Sequence, residues 1–284
     1  MMKQIPYGLT DFGRIQKENY YYVDKTGLIS ELIRNGGMVN LFTRPRRFGK
    51  TLNMSMLEHF FSIERDQSIY DGLEISKDTK LCEEYMGKYP VISISLKGIN
   101  AATYEDAFDF AVPIMQRTAE EFQFLSDSEY LSEHDKSVYR ELLDSNMSET
   151  VFCGGLKILS KLLEKHYRLK VILLIDEYDV PLAEAFENGY YEQMIFQDYV
   201  NVFPENYWIN TSSNDAVKKF IQMSDNLKTK REIETLLAGG EIIKEIHQEL
   251  IYPEMYQSLE NVWSLLFMTG YLTQRGSGRV DAKP

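Results

Sequence analysis

Asn40-Leu41-Phe42-Thr43-Arg44-Pro45-Arg46-Arg47-Phe48-Gly49-Lys50-Thr51 is the stretch on which the fold turns. It reads as the end of a strand, a phosphate-binding loop and the start of a helix. Gly49 lets the backbone approach an anion closely, Lys50 reaches toward β- and γ-phosphates, and the Thr51 hydroxyl is placed to hold Mg²⁺. The helix begun at Lys50 directs its free N–H groups and the positive end of its dipole at the same phosphates. The usual pattern is G-x-x-x-x-G-K-[ST]. Here Arg44 replaces the first glycine, and Pro45 fixes φ and removes a backbone donor. The alternative is a basic turn ahead of an ordinary helix. Two flanks argue against it. Met38 to Phe42 is apolar enough for a strand, and Leu52, Met56, Leu57 and Phe60 recur at helical spacing between Lys50 and Phe61.

A second stretch fits the first. Val171-Ile172-Leu173-Leu174-Ile175-Asp176-Glu177 is a continuous apolar run that closes on two carboxylates. Such a run suits a strand buried on both faces, as in a parallel sheet covered by helices. Downstream of a phosphate loop, an acid at the C-terminal end of such a strand organises the hydration shell of Mg²⁺, and the next acid polarises the attacking water. Lys50 and Glu177 are therefore the expected catalytic residues, and Thr51 and Asp176 the expected metal-side pair. Arg46, Arg47, Phe48, Gly49, Lys50, Thr51 and Leu52 are expected to line the nucleotide. Asp179 reads either as a structural acid near the strand end or, more simply, as a solvated loop charge. Without the upstream loop, the same run reads as an ordinary buried strand ending in solvated charges.

The remaining elements follow from periodicity and punctuation. Tyr20 to Val23 suggests a short strand. Asp24 suits an N-cap for a helix through Leu28, Leu32 and Ile33, ended by Gly36-Gly37. Glu64 to Gly87 is acidic and turn-rich. Pro90 to Leu96 reads as a strand whose C-terminal end faces the phosphates. Helices are expected over Tyr104 to Phe122 and Phe152 to Tyr167, with partial helix in 125–150. Beyond Pro204, helices are expected after Ser213 or Asn214, over Glu232 to Leu237, and over Leu259 to Phe267. Strands alternating with helices argue for a parallel α/β sheet.

Composition narrows the function classes. The chain has 284 residues, 44% of them hydrophobic, enough for one large or two modest domains. No apolar run approaches the length of a membrane span, and the N-terminus lacks a secretory apolar segment. Two distant cysteines, Cys82 and Cys153, fit a reducing compartment, so a cytoplasmic location is expected. The four histidines show no ligand spacing. A formal net charge of −12 disfavours a broad nucleic-acid surface. The local exception is Arg44, Arg46, Arg47 and Lys50, for which a single small triphosphate is the simplest partner.

These motifs resemble the predicted AAA-ATPase-like proteins of anaerobic bacteria. The resemblance is carried by Thr43 to Leu52, by Ile175-Asp176-Glu177-Tyr178-Asp179-Val180-Pro181-Leu182, and by Tyr207-Trp208-Ile209-Asn210-Thr211-Ser212-Ser213-Asn214-Asp215. An opening signature of Ile5-Pro6-Tyr7-Gly8, Asp11-Phe12 and Tyr22-Val23-Asp24-Lys25-Thr26 adds to it. It implies an α/β P-loop NTPase with a mainly parallel sheet flanked by helices over residues 1–203, and a smaller α-helical subdomain over 204–284. It points to ATP with Mg²⁺, and offers a second reading of Asp24 and Lys25, near the nucleotide. A homo-oligomer or a protein client would be the partner, with nucleic acid entering only through the full-length family context. Family members usually continue into a PD-(D/E)xK nuclease-like domain, and no such core is visible here. They also carry a sensor strand between the second motif and the Trp208 block, whereas here Tyr191 to Tyr199 runs almost directly into Pro204. That strand would lie between the strands of the two motifs. Its absence would leave a slot roughly twice the ~4.8 Å strand spacing, unless a segment is omitted, the two strands pair directly, or another chain fills the place. The functions expected are ATP binding with hydrolysis, nucleotide binding without turnover, or the ATPase part of a DNA-processing protein.

Overall fold

In a computed structural model of the chain, the described residues are 3–42, 48–196, 227–247, 254, 257–268 and 271–274. They belong to two compact units: Met1–Leu41 with Gly49–Pro204, and Phe42–Phe48 with Glu205–Pro284.

The first unit is built around two parallel strands, β1 (Val91–Ser95) and β2 (Ile172–Asp176). Their register runs from Val91↔Ile172 to Ser95↔Asp176. The Ile172 amide donates to the Pro90 carbonyl at 3.0 Å, and the Leu96 amide to the Asp176 carbonyl at 3.0 Å. Parallel neighbours need a long crossover, supplied here by three helices: Tyr104–Glu120, Glu133–Leu142 and Glu149–Tyr167. Each has a side-chain cap at its start. The Thr103 hydroxyl accepts from the Asp106 amide, Ser132 and Asp135 form a reciprocal capping box, and the Ser148 hydroxyl accepts from the Val151 amide. Leu156, Leu159, Leu162 and Leu163 form the buried stripe of the last helix.

Of the other helices, Gly27–Asn35 and Lys50–Phe61 lie where helices are expected. We number the helices in chain order: α1 (Phe12–Lys17), α2 (Gly27–Asn35), α3 (Lys50–Phe61), α4 (Thr79–Tyr85), α5 to α7 for the crossover helices, α8 (Val180–Asn188) and α9 (Tyr191–Phe196). Helix α3 spans the range its periodicity predicts and buries Met56, Leu57, Phe60 and Phe61. It lies against both strands, and α5 packs on β1. Successive side chains of a strand alternate in face. Val91, Ser93 and Ser95 therefore share one face with Ile172, Leu174 and Asp176, while Ile92 and Ile94 share the other with Leu173 and Ile175.

Four expectations are corrected. Met38 to Phe42 is not a strand. Asn40 closes a turn on Gly37 with reciprocal hydrogen bonds of 3.0 and 2.8 Å, which leaves Met38 and Val39 in solvent. The strand β2 pairs with β1 instead, so the two motif strands neither pair nor flank a slot among the described residues. Nor is β2 buried on both faces: Leu173 is exposed, and Ile172 and Ile175 are half-buried. Tyr20 to Val23 forms no strand.

Nor is Asp24 a helix N-cap. Thr26 occupies that position in helical geometry. The Asp24 carboxylate instead accepts from the Thr26 amide (2.9 Å) and hydroxyl (2.6 Å) and from the Glu74 amide (2.7 Å). Thr26 is fully buried, and its hydroxyl accepts from the Ile75 amide at 3.1 Å. This network ties the start of α2 to the turn Glu74–Lys77. Partial burial opposes ionisation of Asp24, but the donors of Thr26 and Glu74 outweigh it and hold the carboxyl below its ordinary value. A depressed folded value means a stabilisation fully present above the unfolded pKa, about 3.9. It is lost as pH falls through the folded value. Asp24→Asn is expected to cost about 1–2 kcal/mol at pH 7, and the deficit should be smaller at pH 2. Urea melts of both proteins at the two pH values check it.

In the second unit, α10 (Leu227–Leu237) and α11 (Leu259–Met268) contain the two helices expected there. Val262, Trp263 and Leu266 form a small core with Ile233, Leu236 and Leu259. The helix expected after Ser213 or Asn214, and the Tyr207 to Asp215 block, lie outside the described residues.

Candidate functional site

Thr51 and Asp176 are 125 residues apart in sequence and meet in space. The Thr51 hydroxyl donates to Asp176 Oδ2 at 2.7 Å. Two local features place them. The N-cap of α3 is Gly49, in left-handed geometry at φ 77°, so Lys50 and Thr51 open the helix and Thr51 faces outward. Glycine accepts this conformation without the steric cost of a Cβ. Among the described residues, a Cβ built on Gly49 would meet nothing within 4 Å. The second feature is the end of β2, where Asp176 is the last residue and its carbonyl is held by Leu96.

The chain then turns sharply. Glu177 has φ 53°, left-handed for a non-glycine residue, and its carbonyl accepts from the Val180 amide at 3.2 Å. Such a conformation costs about 1–2 kcal/mol, and strained backbone of this kind clusters at functional sites. Glu177 is half-buried beside the Thr51–Asp176 pair in sequence. Asp179 is not a solvated loop charge, because it is fully buried at the N-cap of α8. The Tyr178 hydroxyl is pushed well above its ordinary pKa, chiefly by burial and further by Asp179.

Gly49, Lys50, Thr51 and Leu52 are thus gathered at the start of α3, with Asp176 and Glu177 at the end of β2. Arg46 and Arg47 lie outside the described residues. Phe48 is exposed and belongs with the second unit. Lys50 and Leu52 are half-buried. Sequence reasoning missed Ser95. Through the register it sits beside Asp176 and on the same face, and it is exposed. Strand alternation alone could not align two strands so distant in sequence.

Among the described residues no three His, Cys, Asp or Glu side chains converge as a metal cage, and no helix is long and apolar enough to cross a membrane. No solved structure matches the chain. It is 28% identical over 183 residues to an uncharacterised protein in the vnfD 5′ region of Azotobacter chroococcum mcd 1, covering 64% of this chain and 30% of that protein. The chain thus spans about a third of that relative's length. The profile of the family described as "Predicted AAA-ATPase" matches residues 6–228, more than half of the chain, and the chain belongs to that family.

Proposed function

We propose that this protein binds ATP with Mg²⁺ at the Lys50–Thr51/Asp176–Glu177 site and hydrolyses it. The 2.7 Å contact between the Thr51 hydroxyl and the Asp176 carboxylate carries this reading. It joins the two residues required on the metal side, and both are reachable from solvent. The donor set suits a hard cation that keeps several waters and binds through one or two carboxylates plus phosphate oxygens. The left-handed turn at Gly49 and the start of α3 suit a phosphate chain.

Each residue has a separate task. Lys50 brings its positive charge to the phosphate tail, and the α3 amides donate to the same oxygens. Thr51 and Asp176, already in contact, would hold Mg²⁺ between them, the hydroxyl oxygen and the carboxylate being the oxygen donors on that side. Bound Mg²⁺ supplies charge neutralisation at the phosphate oxygens. Glu177 accepts a hydrogen bond from the attacking water and orients it.

A fluorescent ATP analogue, titrated with Mg²⁺ and again with EDTA, tests the reading. Wild type is expected to bind more tightly with Mg²⁺. Thr51→Ala should lose about ten- to a hundredfold of that gain, since an oxygen contacting a charged group is worth roughly 1.5–3 kcal/mol, and Thr51→Ser should keep it. Equal binding with and without Mg²⁺ in wild type sinks the proposal.

One observation favours a second reading, nucleotide binding without turnover. Among the described residues the sheet has two strands, and none lies on the outer edge of β2 to bring a further polar group to the phosphates. Phosphate release by wild type separates the two.

A further inference from the structure

We propose that Ser95 is a third oxygen-bearing residue of the metal site, holding a metal-bound water beside Asp176; this rests on the ATP–Mg²⁺ reading above. Three observations carry it. The β1–β2 register pairs Ser95 with Asp176. Directly paired residues of parallel strands project to the same face, so Ser95 shares the face on which Asp176 meets Thr51. Ser95 is exposed, whereas Val91, Ile92 and Ile94 of the same strand are buried.

The side-chain length sets the role. Neighbouring strands are about 4.8 Å apart, and a serine hydroxyl ends closer to its own backbone than an aspartate carboxylate does. Ser95 therefore stands back from an ion held by Asp176 and Thr51. It meets the hydration shell, where a hydroxyl can both donate and accept. A water bridged in this way is nearly as favourable as a direct hydrogen bond. The pairing is held rigidly, because the Leu96 amide, one residue on, donates to the Asp176 carbonyl at 3.0 Å. Ser95 is thus a positioning residue, acting on the metal through water.

The test uses the same titration on the full chain, with the fluorescent ATP analogue in Mg²⁺ and in EDTA. Ser95→Ala is expected to lose about tenfold of the Mg²⁺-dependent gain, the low end of the effect of groups that support metal ligands. Its affinity in EDTA should stay at the wild-type value, and Ser95→Thr should restore the gain. If wild type and Thr51→Ala behave as proposed while Ser95→Ala keeps the full gain, Ser95 has no such role and the ATP–Mg²⁺ reading stands. If Ser95→Ala weakens binding equally in Mg²⁺ and EDTA, the residue acts through the fold and the proposal is overturned. If wild type itself shows no Mg²⁺-dependent gain, the parent reading fails and takes this one with it.

Discussion

Lys50→Ala is expected to lower ATP hydrolysis by about 10²–10³-fold, the range for removing one preorganised charge-stabilising group. The effect should appear in kcat and in nucleotide affinity together, because Lys50 would touch the phosphate tail before and during transfer. The fold should survive. Lys50 is the first residue of α3, and alanine has the highest helix propensity. Phosphate release and a thermal melt on the same preparation distinguish the outcomes. Lost turnover with an unchanged midpoint supports the phosphate role. Unchanged turnover removes Lys50 from the site. Should wild type bind nucleotide without hydrolysing it, affinity becomes the readout, and a large loss is still expected.

Phe12→Ala is expected to destabilise the first unit by about 3–5 kcal/mol, the cost of emptying a buried phenylalanine site. Phe12 is fully buried, with its ring 5.3 Å from that of Tyr22 and 5.2 Å from that of Tyr70. Its amide donates to the Ser55 hydroxyl of α3 at 3.0 Å. The next residue shows how close the two helices lie, for a Cβ on Gly13 would fall 2.4 Å from His59 Nε2. Helix α1 therefore braces the helix that carries Thr51. Urea denaturation should show a lower midpoint with a similar slope. An unchanged midpoint would show that the Phe12 contacts contribute little.

These contacts give the N-terminal signature a structural meaning. Asp11 caps α1, Phe12 anchors it to α3, and Tyr22 to Thr26 carry the Asp24 network. Sequence left two readings of Asp24 open, cap or nucleotide neighbour. The structure makes it neither a helix cap nor, through its hydrogen bonds, a free charge. Its partners are amides 2 and 50 residues away, and the second is a tertiary contact that no local pattern encodes. Of the two readings of Asp179, sequence favours the solvated one for a similar reason, and burial selects the structural one. A lone acid after a strand looks solvated until the packing around α8 is known.

Local chemistry was sufficient for much of the chain. The span of α3 was legible from a glycine, a helical apolar stripe and the residues after it. Both paired strands were legible as short apolar runs, and the crossover helices α5 and α7 as longer periodic ones. Thr51 and Asp176 were named as a metal-side pair because their residue types at those element ends suit that chemistry. Sequence alone determined which residues carry oxygen and charge, and on which kind of element each one stands. Strand pairing is another matter, since it depends on backbone groups that all residues share and on neighbours distant along the chain. Only the tertiary structure decided that β2 lies beside β1, that Met38 to Phe42 forms no strand, and that Ser95 stands level with Asp176.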